Sequence, residues 1–185
     1  MIIMKLRPHQ QRAFDAMQID DRGQIIVPTG GGKTYIMIAD AIEQIRKDVY
    51  SKTIVVVAPR ILLANQLSAE FLEQNLDGHY NQSINVAHVH SGETHHFSTT
   101  NQFELNNWHN NSRKTNLIFT TYHSLQKVVN AVDVDIDTIY FDEAHNGCGK
   151  HFHIALSQVV QYAERSFFFT ATPRMGRGVS LDRGM

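Results

Sequence analysis

Two short stretches carry side chains able to handle a polyphosphate. In "PTGGGKT" (28–34) three glycines run directly into Lys33 and Thr34. Gly30, Gly31 and Gly32, entered through Pro28 and Thr29, let the backbone turn sharply and present its N–H groups to a ligand. A helix beginning near Lys33 turns its positive dipole end to the same place. Lys33 can then reach the β- and γ-phosphates of a nucleotide, and the Thr34 hydroxyl can ligate Mg²⁺. The second stretch, "TIYFDEAH", sets Asp142 and Glu143 immediately after an apolar run. Asp142 suits the metal, and Glu143 suits the orientation and deprotonation of an attacking water. The strict pattern GxxxxGK[ST] asks for glycine at position 27, where this chain has Val27. The loop is therefore judged by its context, a strand before it and a helix after it.

Those side chains need a frame. Short apolar runs rich in β-branched residues predict strands at 24–27, 53–58, 84–89, 116–120, 137–141 and 166–170. Helical patterns lie between them at 8–18, 33–47, 60–75, 121–131 and 152–163. Strands apolar at consecutive positions are covered on both faces, as in a parallel sheet between helix layers. Alternating strand and helix then predicts a doubly wound α/β domain with a mostly parallel sheet of about six strands. In such a sheet ligands sit at the carboxyl ends of the strands, so the carboxylate pair can face the glycine loop. Residues 90–116, rich in Asn and His, break the pattern and are read as an excursion from the sheet edge with a short helix around 99–109.

Composition sets broad limits. The chain has 185 residues, 42% hydrophobic and 19% charged, which suits one soluble α/β domain with a sizeable core. A formal net charge of -1 does not advertise a nucleic-acid partner, although a local cleft can be basic on a neutral protein. One cysteine, Cys148, precludes an internal disulfide and an all-cysteine metal site and fits a reducing, cytoplasmic compartment. No apolar run approaches the roughly 20 residues of a membrane span.

A lysine-threonine loop by itself marks only a nucleotide binder. The adjacent Asp142 and Glu143 disfavour small GTPases and most kinases. The series "LRPHQ" (6–10), "PTGGGKT" (28–34), "VVVAPR" (55–60), "FTTYHSL" (119–125), "DEAH" (142–145) and "TATP" (170–173) resembles the first motor domain of superfamily 2 helicases and translocases, across about residues 6–174. The resemblance implies a RecA-like P-loop fold, ATP and Mg²⁺ as cofactors, and ATP hydrolysis. It implies Gln10, with Gln11 beside it, as the adenine-reading glutamine. Arg60 and Thr121 stand where the family contacts the phosphate backbone of a bound strand. His145, Thr170 and Thr172 resemble the elements that couple the nucleotide site to the nucleic-acid groove. "TATP" and "LRPHQ" look more like the restriction-enzyme, DNA-repair and phage branch than the RNA helicases named for "DEAH", which favours DNA over RNA.

Family members pair this domain with a second RecA-like domain that supplies arginine fingers. The expected organisation is a motor domain over 1–174 and a linker or truncated end over 175–185, with that second domain absent. An arginine finger is worth about 10³–10⁵ in rate in related sites, so this chain alone is expected to bind nucleotide and to hydrolyse it very slowly. A standalone nucleotide-gated nucleic-acid-binding module and the motor fragment of a restriction enzyme are the alternatives. Three features are set aside: His88, His90, His95 and His96 read as a solvated loop, Trp108 as a loop anchor that could otherwise stack on a base, and Cys148 as a free thiol.

Overall fold

The computed structural model describes residues 5–47, 50–74, 84–132, 136–145 and 159–171. In chain order the elements are α1 (Pro8–Met17), β1 (Arg22–Ile26), α2 (Lys33–Lys47), β2 (Thr53–Ala58), α3 (Ile61–Glu73), β3 (Ile84–Val89), β4 (Phe97–Ser98), α4 (Gln102–Asn110), β5 (Thr115–Thr121), α5 (Leu125–Val132), β6 (Thr138–Phe141) and β7 (Arg165–Thr170). The seven strands form one sheet in the order β1-β7-β6-β2-β5-β3-β4. Every pairing is parallel. The α/β expectation holds, with one strand more than the six read from the sequence.

The apolar runs are explained by two cores. Ile54, Val56 and Ala58 of β2 pack on one face with Ile36, Met37 and Ile38 of α2 and Phe71 of α3. Val55 and Val57 point the other way and join Leu105 of α4, Val128 of α5 and Val159. Every residue of β2 is buried, so no alternation with polar residues is visible in the text.

The differences from the sequence reading are local. The extra strand β4 is two residues long and lies within the 90–116 excursion, pairing Phe97 and Ser98 with Ala87 and His88. The helix of that excursion starts at Gln102, because the Asn101 side chain accepts from the N–H groups of Phe103 and Glu104. The helix read at 121–131 starts at Leu125, because β5 continues through Thr121 in register with Ala58. Of the helix read at 152–163, residues 159–162 are described and are helical. Cys148, Thr172 and the tail read as a linker lie outside the described residues. Among the described residues no helix is long and apolar enough to cross a membrane.

The histidine cluster divides. His95 and His96 are exposed, as a solvated loop requires, but His88 and His90 are buried. His90 Nδ1 accepts from the Gly92 N–H at 3.1 Å, so its proton sits on Nε2, facing Asn65 Oδ1 at 3.1 Å and His88 Nδ1 at 3.0 Å. His88 therefore carries its proton on Nε2 and donates to Ser68 Oγ at 3.0 Å. Reading all four as solvated is thus corrected: β3 continues inward through position 88, and its polar side chains find partners on α3. Burial, reinforced by His90 and His96, holds His88 down at about 4.

That depression carries a stability consequence. A histidine whose folded value lies below its unfolded one contributes stability that is present above about pH 6.5 and lost as pH falls toward 4. A shift of this size corresponds to about 3 kcal/mol at the acid end. Urea unfolding at pH 7.5 and 4.5 is expected to show this loss, and His88→Gln to reduce the difference between the two pH values. An unchanged difference in the variant would refute the assignment.

Candidate functional site

The glycine loop follows β1, and its shape comes from residues that only glycine suits. Gly30 and Gly32 have φ of 76° and 80°, in the left-handed region. A Cβ on Gly31 would lie 2.5 Å from Val27 Cγ1 and 2.9 Å from the Pro28 carbonyl oxygen. Val27 explains the departure from the strict motif. Its N–H donates to the Thr170 carbonyl at 3.0 Å, extending the pairing of β1 with β7, and its side chain is buried in the core. A glycine there would give up that packing without relieving the turn, which tightens only after Pro28.

Asp142 and Glu143 follow β6, two strand spacings (about 10 Å) from β1 across β7. Glu143 has φ of 47°, a conformation that a non-glycine residue adopts at a cost of order 1–3 kcal/mol. The turn aims its carboxylate back along the sheet end. Lys33, the first residue of α2, meets Glu143 Oε1 in an ion pair and stands 3.9 Å from Asp142 Oδ1. Residues 110 apart in sequence thus converge on one point. The Asp142 carboxyl is pushed up to about 6 by burial and by Glu143, against the pull of Lys33. The Tyr122 hydroxyl donates to the Asp142 carbonyl at 2.9 Å and fixes the backbone there.

His145 joins this point to the neighbouring strand. Its Nδ1 lies 3.3 Å from Glu143 Oε2 and 3.1 Å from Thr170 Oγ1, at the end of β7. Lys33, Glu143, His145 and Thr170 therefore form one connected chain across three strand ends. Arg60 follows β2 as the exposed N-cap residue of α3, and Thr121 is the buried last residue of β5. Ala58 and Thr121 are register partners, so both sites lie at the same carboxyl edge as the carboxylates. The edge reads in spatial order: glycine loop, Thr170, carboxylates, Arg60, Thr121.

Gln10 sits against the loop. Its amide N–H donates to the carbonyls of Gly31 at 3.0 Å and Gly32 at 3.4 Å, and its Oε1 accepts from the Arg7 N–H at 2.8 Å. Both ends of the amide are engaged within the chain in this arrangement. His9 was not singled out from the sequence, yet its Nε2–H donates to the Gly31 carbonyl at 2.9 Å. Its place in "RPHQ", next to Gln10, was the available signal. Tyr122 is the other omission, legible only as a neighbour of Thr121.

The donor set fits a magnesium-bound triphosphate: a glycine turn, one lysine, the half-buried Thr34 hydroxyl and two carboxylates whose charge Lys33 now offsets. A family model described as "Type III restriction enzyme, res subunit" matches residues 3–175. The chain belongs to this family, ResIII. No curated protein matches the chain. The ResIII fold is similar to that of the Type ISP restriction-modification enzyme LlaGI, solved as a nuclease-deletion mutant with a DNA substrate mimic (TM-score 0.75, 23% identity, 95% of this chain and 18% of that one). It is also similar to the Hef helicase domain of Pyrococcus furiosus (TM-score 0.65, 20% identity, 92% and 33%). UvsW helicase of bacteriophage T4 is a third (TM-score 0.67, 14% identity, 98% and 56%). The ResIII chain thus spans about a fifth to just over half of these proteins and has the RecA-like fold of superfamily 2 helicases.

Proposed function

We propose that this chain is the first motor domain of an ATP-dependent DNA translocase or helicase of the restriction-enzyme kind, which binds Mg-ATP and forms half of a nucleic-acid groove. The observation that carries the reading is the convergence of Lys33, Asp142 and Glu143 from distant segments onto the end of the glycine loop. In this reading Lys33 leaves Glu143 for the β- and γ-phosphates, and Thr34 and Asp142 hold the metal. Mg²⁺, when bound, neutralises charge on the phosphate oxygens. Glu143, freed from Lys33, orients and deprotonates the attacking water, while His145 relays its position to Thr170 and so toward Thr172. Gln10 turns part of its amide from the loop carbonyls to the adenine edge. Arg60 and Thr121 hold phosphates of the tracked strand.

DNA is preferred because the ResIII family and the LlaGI structure with its DNA substrate mimic both belong to DNA restriction. In this reading a second RecA-like domain completes the site by supplying an arginine finger, worth about 10³–10⁵ in rate in related phosphoryl-transfer sites.

The test is nucleotide binding. Lys33→Ala is expected to weaken Mg-ATP binding roughly 10- to 100-fold, the loss of a charge-assisted contact worth about 1.5–3 kcal/mol. Calorimetry on both proteins reads the difference, with circular dichroism as the check on folding. Equal affinity in a folded variant, or no adenine-nucleotide binding by the parent chain, refutes the reading.

A further inference from the structure

The far end of the sheet carries a second cluster that the nucleotide reading does not use. Asn85, at the start of β3, and Arg113 and Lys114, directly before β5, mark the amino ends of their strands, opposite the carboxyl edge described above. Here an open cleft of about 730 Å³ lies between β4 and α4. The α4 side of it is Glu104, Asn107, Trp108 and Asn111. This i, i+3, i+4, i+7 spacing normally forms the apolar stripe that seats a helix on its core. On α4 and its C-cap residue Asn111 it carries an acid, two amides and an indole, while Leu105 alone among the helix residues is fully buried.

Across the cleft Phe97 lies parallel to Trp108, with planes 2° apart and centroids 5.7 Å apart. Trp108 leans on the core, as a loop anchor does, but Phe97 remains 39% exposed on a strand of only two residues. A flat ring stacked on Trp108 is therefore left partly open to solvent. Arg113 and Lys114 are both exposed, and among the described residues neither enters an ion pair. The one acid in the cleft, Glu104, already accepts from the Thr99 hydroxyl at 2.5 Å. Flat aromatic faces beside free cations suit unpaired bases and their phosphates, and amides such as Asn107 and Asn111 offer a donor and an acceptor to base edges. An acidic peptide would satisfy the cations but has no group that calls for a stacked ring.

We propose that this cleft is a second nucleic-acid site, which takes an unpaired strand by stacking a base on the Phe97–Trp108 pair and holding flanking phosphates with Arg113 and Lys114. It rests on the reading that the protein works on nucleic acid, but it uses none of the residues of the Arg60 and Thr121 groove. Lying beyond the β3–β4 edge, it would hold a displaced strand away from the strand being tracked.

Trp108 is the sole tryptophan, so its fluorescence reports this site alone. Titration with a ten-nucleotide oligothymidylate is expected to quench it saturably. The Arg113→Glu, Lys114→Glu double variant is expected to weaken that binding at least tenfold. It is also expected to lower the slope of log affinity against log salt by about 1.4, two phosphates at about 0.7 each for a single strand. Phe97→Leu keeps apolar bulk without a flat face and is expected to weaken binding roughly tenfold. Arg60→Ala is expected to leave the tryptophan signal unchanged. If a labelled oligothymidylate binds in an Arg60-dependent way with no response from Trp108, the second site is refuted and the groove stands. If polyglutamate quenches as strongly, the cleft is an acidic-protein surface and the proposal falls. If no strand binds by either measure, both readings fall.

Discussion

Glu143→Gln is expected to lower ATP hydrolysis by about 10²–10⁴-fold, the range for losing a positioned general base. Nucleotide affinity is expected to move the other way. In the present arrangement Lys33 is paired with Glu143 and must break that pair to reach a phosphate. A neutral amide holds the ammonium less firmly, so Mg-ATP affinity should rise by about two- to tenfold, a fraction of the worth of one charge-assisted bond. Hydrolysis is best measured in single turnovers with the second motor domain and DNA present, because the single domain is slow in this reading. A rate within threefold of the parent would remove Glu143 from the chemistry. A rate loss accompanied by weaker binding would place it in ground-state binding instead.

Asp40→Ala is expected to cost about 3–5 kcal/mol of stability, the range for breaking a buried charge pair by removing one partner. Asp40 is fully buried in α2. Arg165, at the start of β7, donates to both of its carboxylate oxygens at 2.9 Å, and the Tyr140 hydroxyl and the Gln18 amide donate to them at 2.6 and 2.7 Å. Arg165 also donates to the Met17 carbonyl at 2.7 Å, so one guanidinium ties α1, α2, β6 and β7 together. Burial opposes its charge, yet Asp40 holds it above its ordinary range. Without the carboxylate, a guanidinium with an 11% exposed side chain and a buried phenol lose their partner together. For a chain of this size the melting temperature is expected to fall by about 10 °C. Asp40→Asn, which keeps one acceptor, is expected to fall less. A melting point for Asp40→Ala within 2 °C of the parent would show that the network is not a principal support.

Much of the frame was legible because burial on both faces leaves a mark that needs no partner. Runs such as "TIVVVA" and "NLIFT" are apolar at consecutive positions whichever strand lies beside them, and they became β2 and β5 within one residue. β4 was not legible, since two residues carry no period and owe their conformation to the neighbouring β3. The same limit applied to His88 and His90. Each reads as polar by type, and only the approach of Ser68 and Asn65 from α3 makes a buried imidazole acceptable.

The glycine loop, the lysine after it and the adjacent carboxylates were legible from residue type and spacing alone, because each is a local run of consecutive residues. Which of these groups meet was decided by the tertiary fold. Insertion of β7 between β1 and β6 sets the gap that Lys33 spans to reach Glu143, and it places Thr170 where His145 can touch it. Asp40 and Arg165 lie 125 residues apart, and no pattern in the text links them. Periodicity records how each segment faces the core. Strand order, which arises only when segments compete for neighbours, determines which side chains share a site.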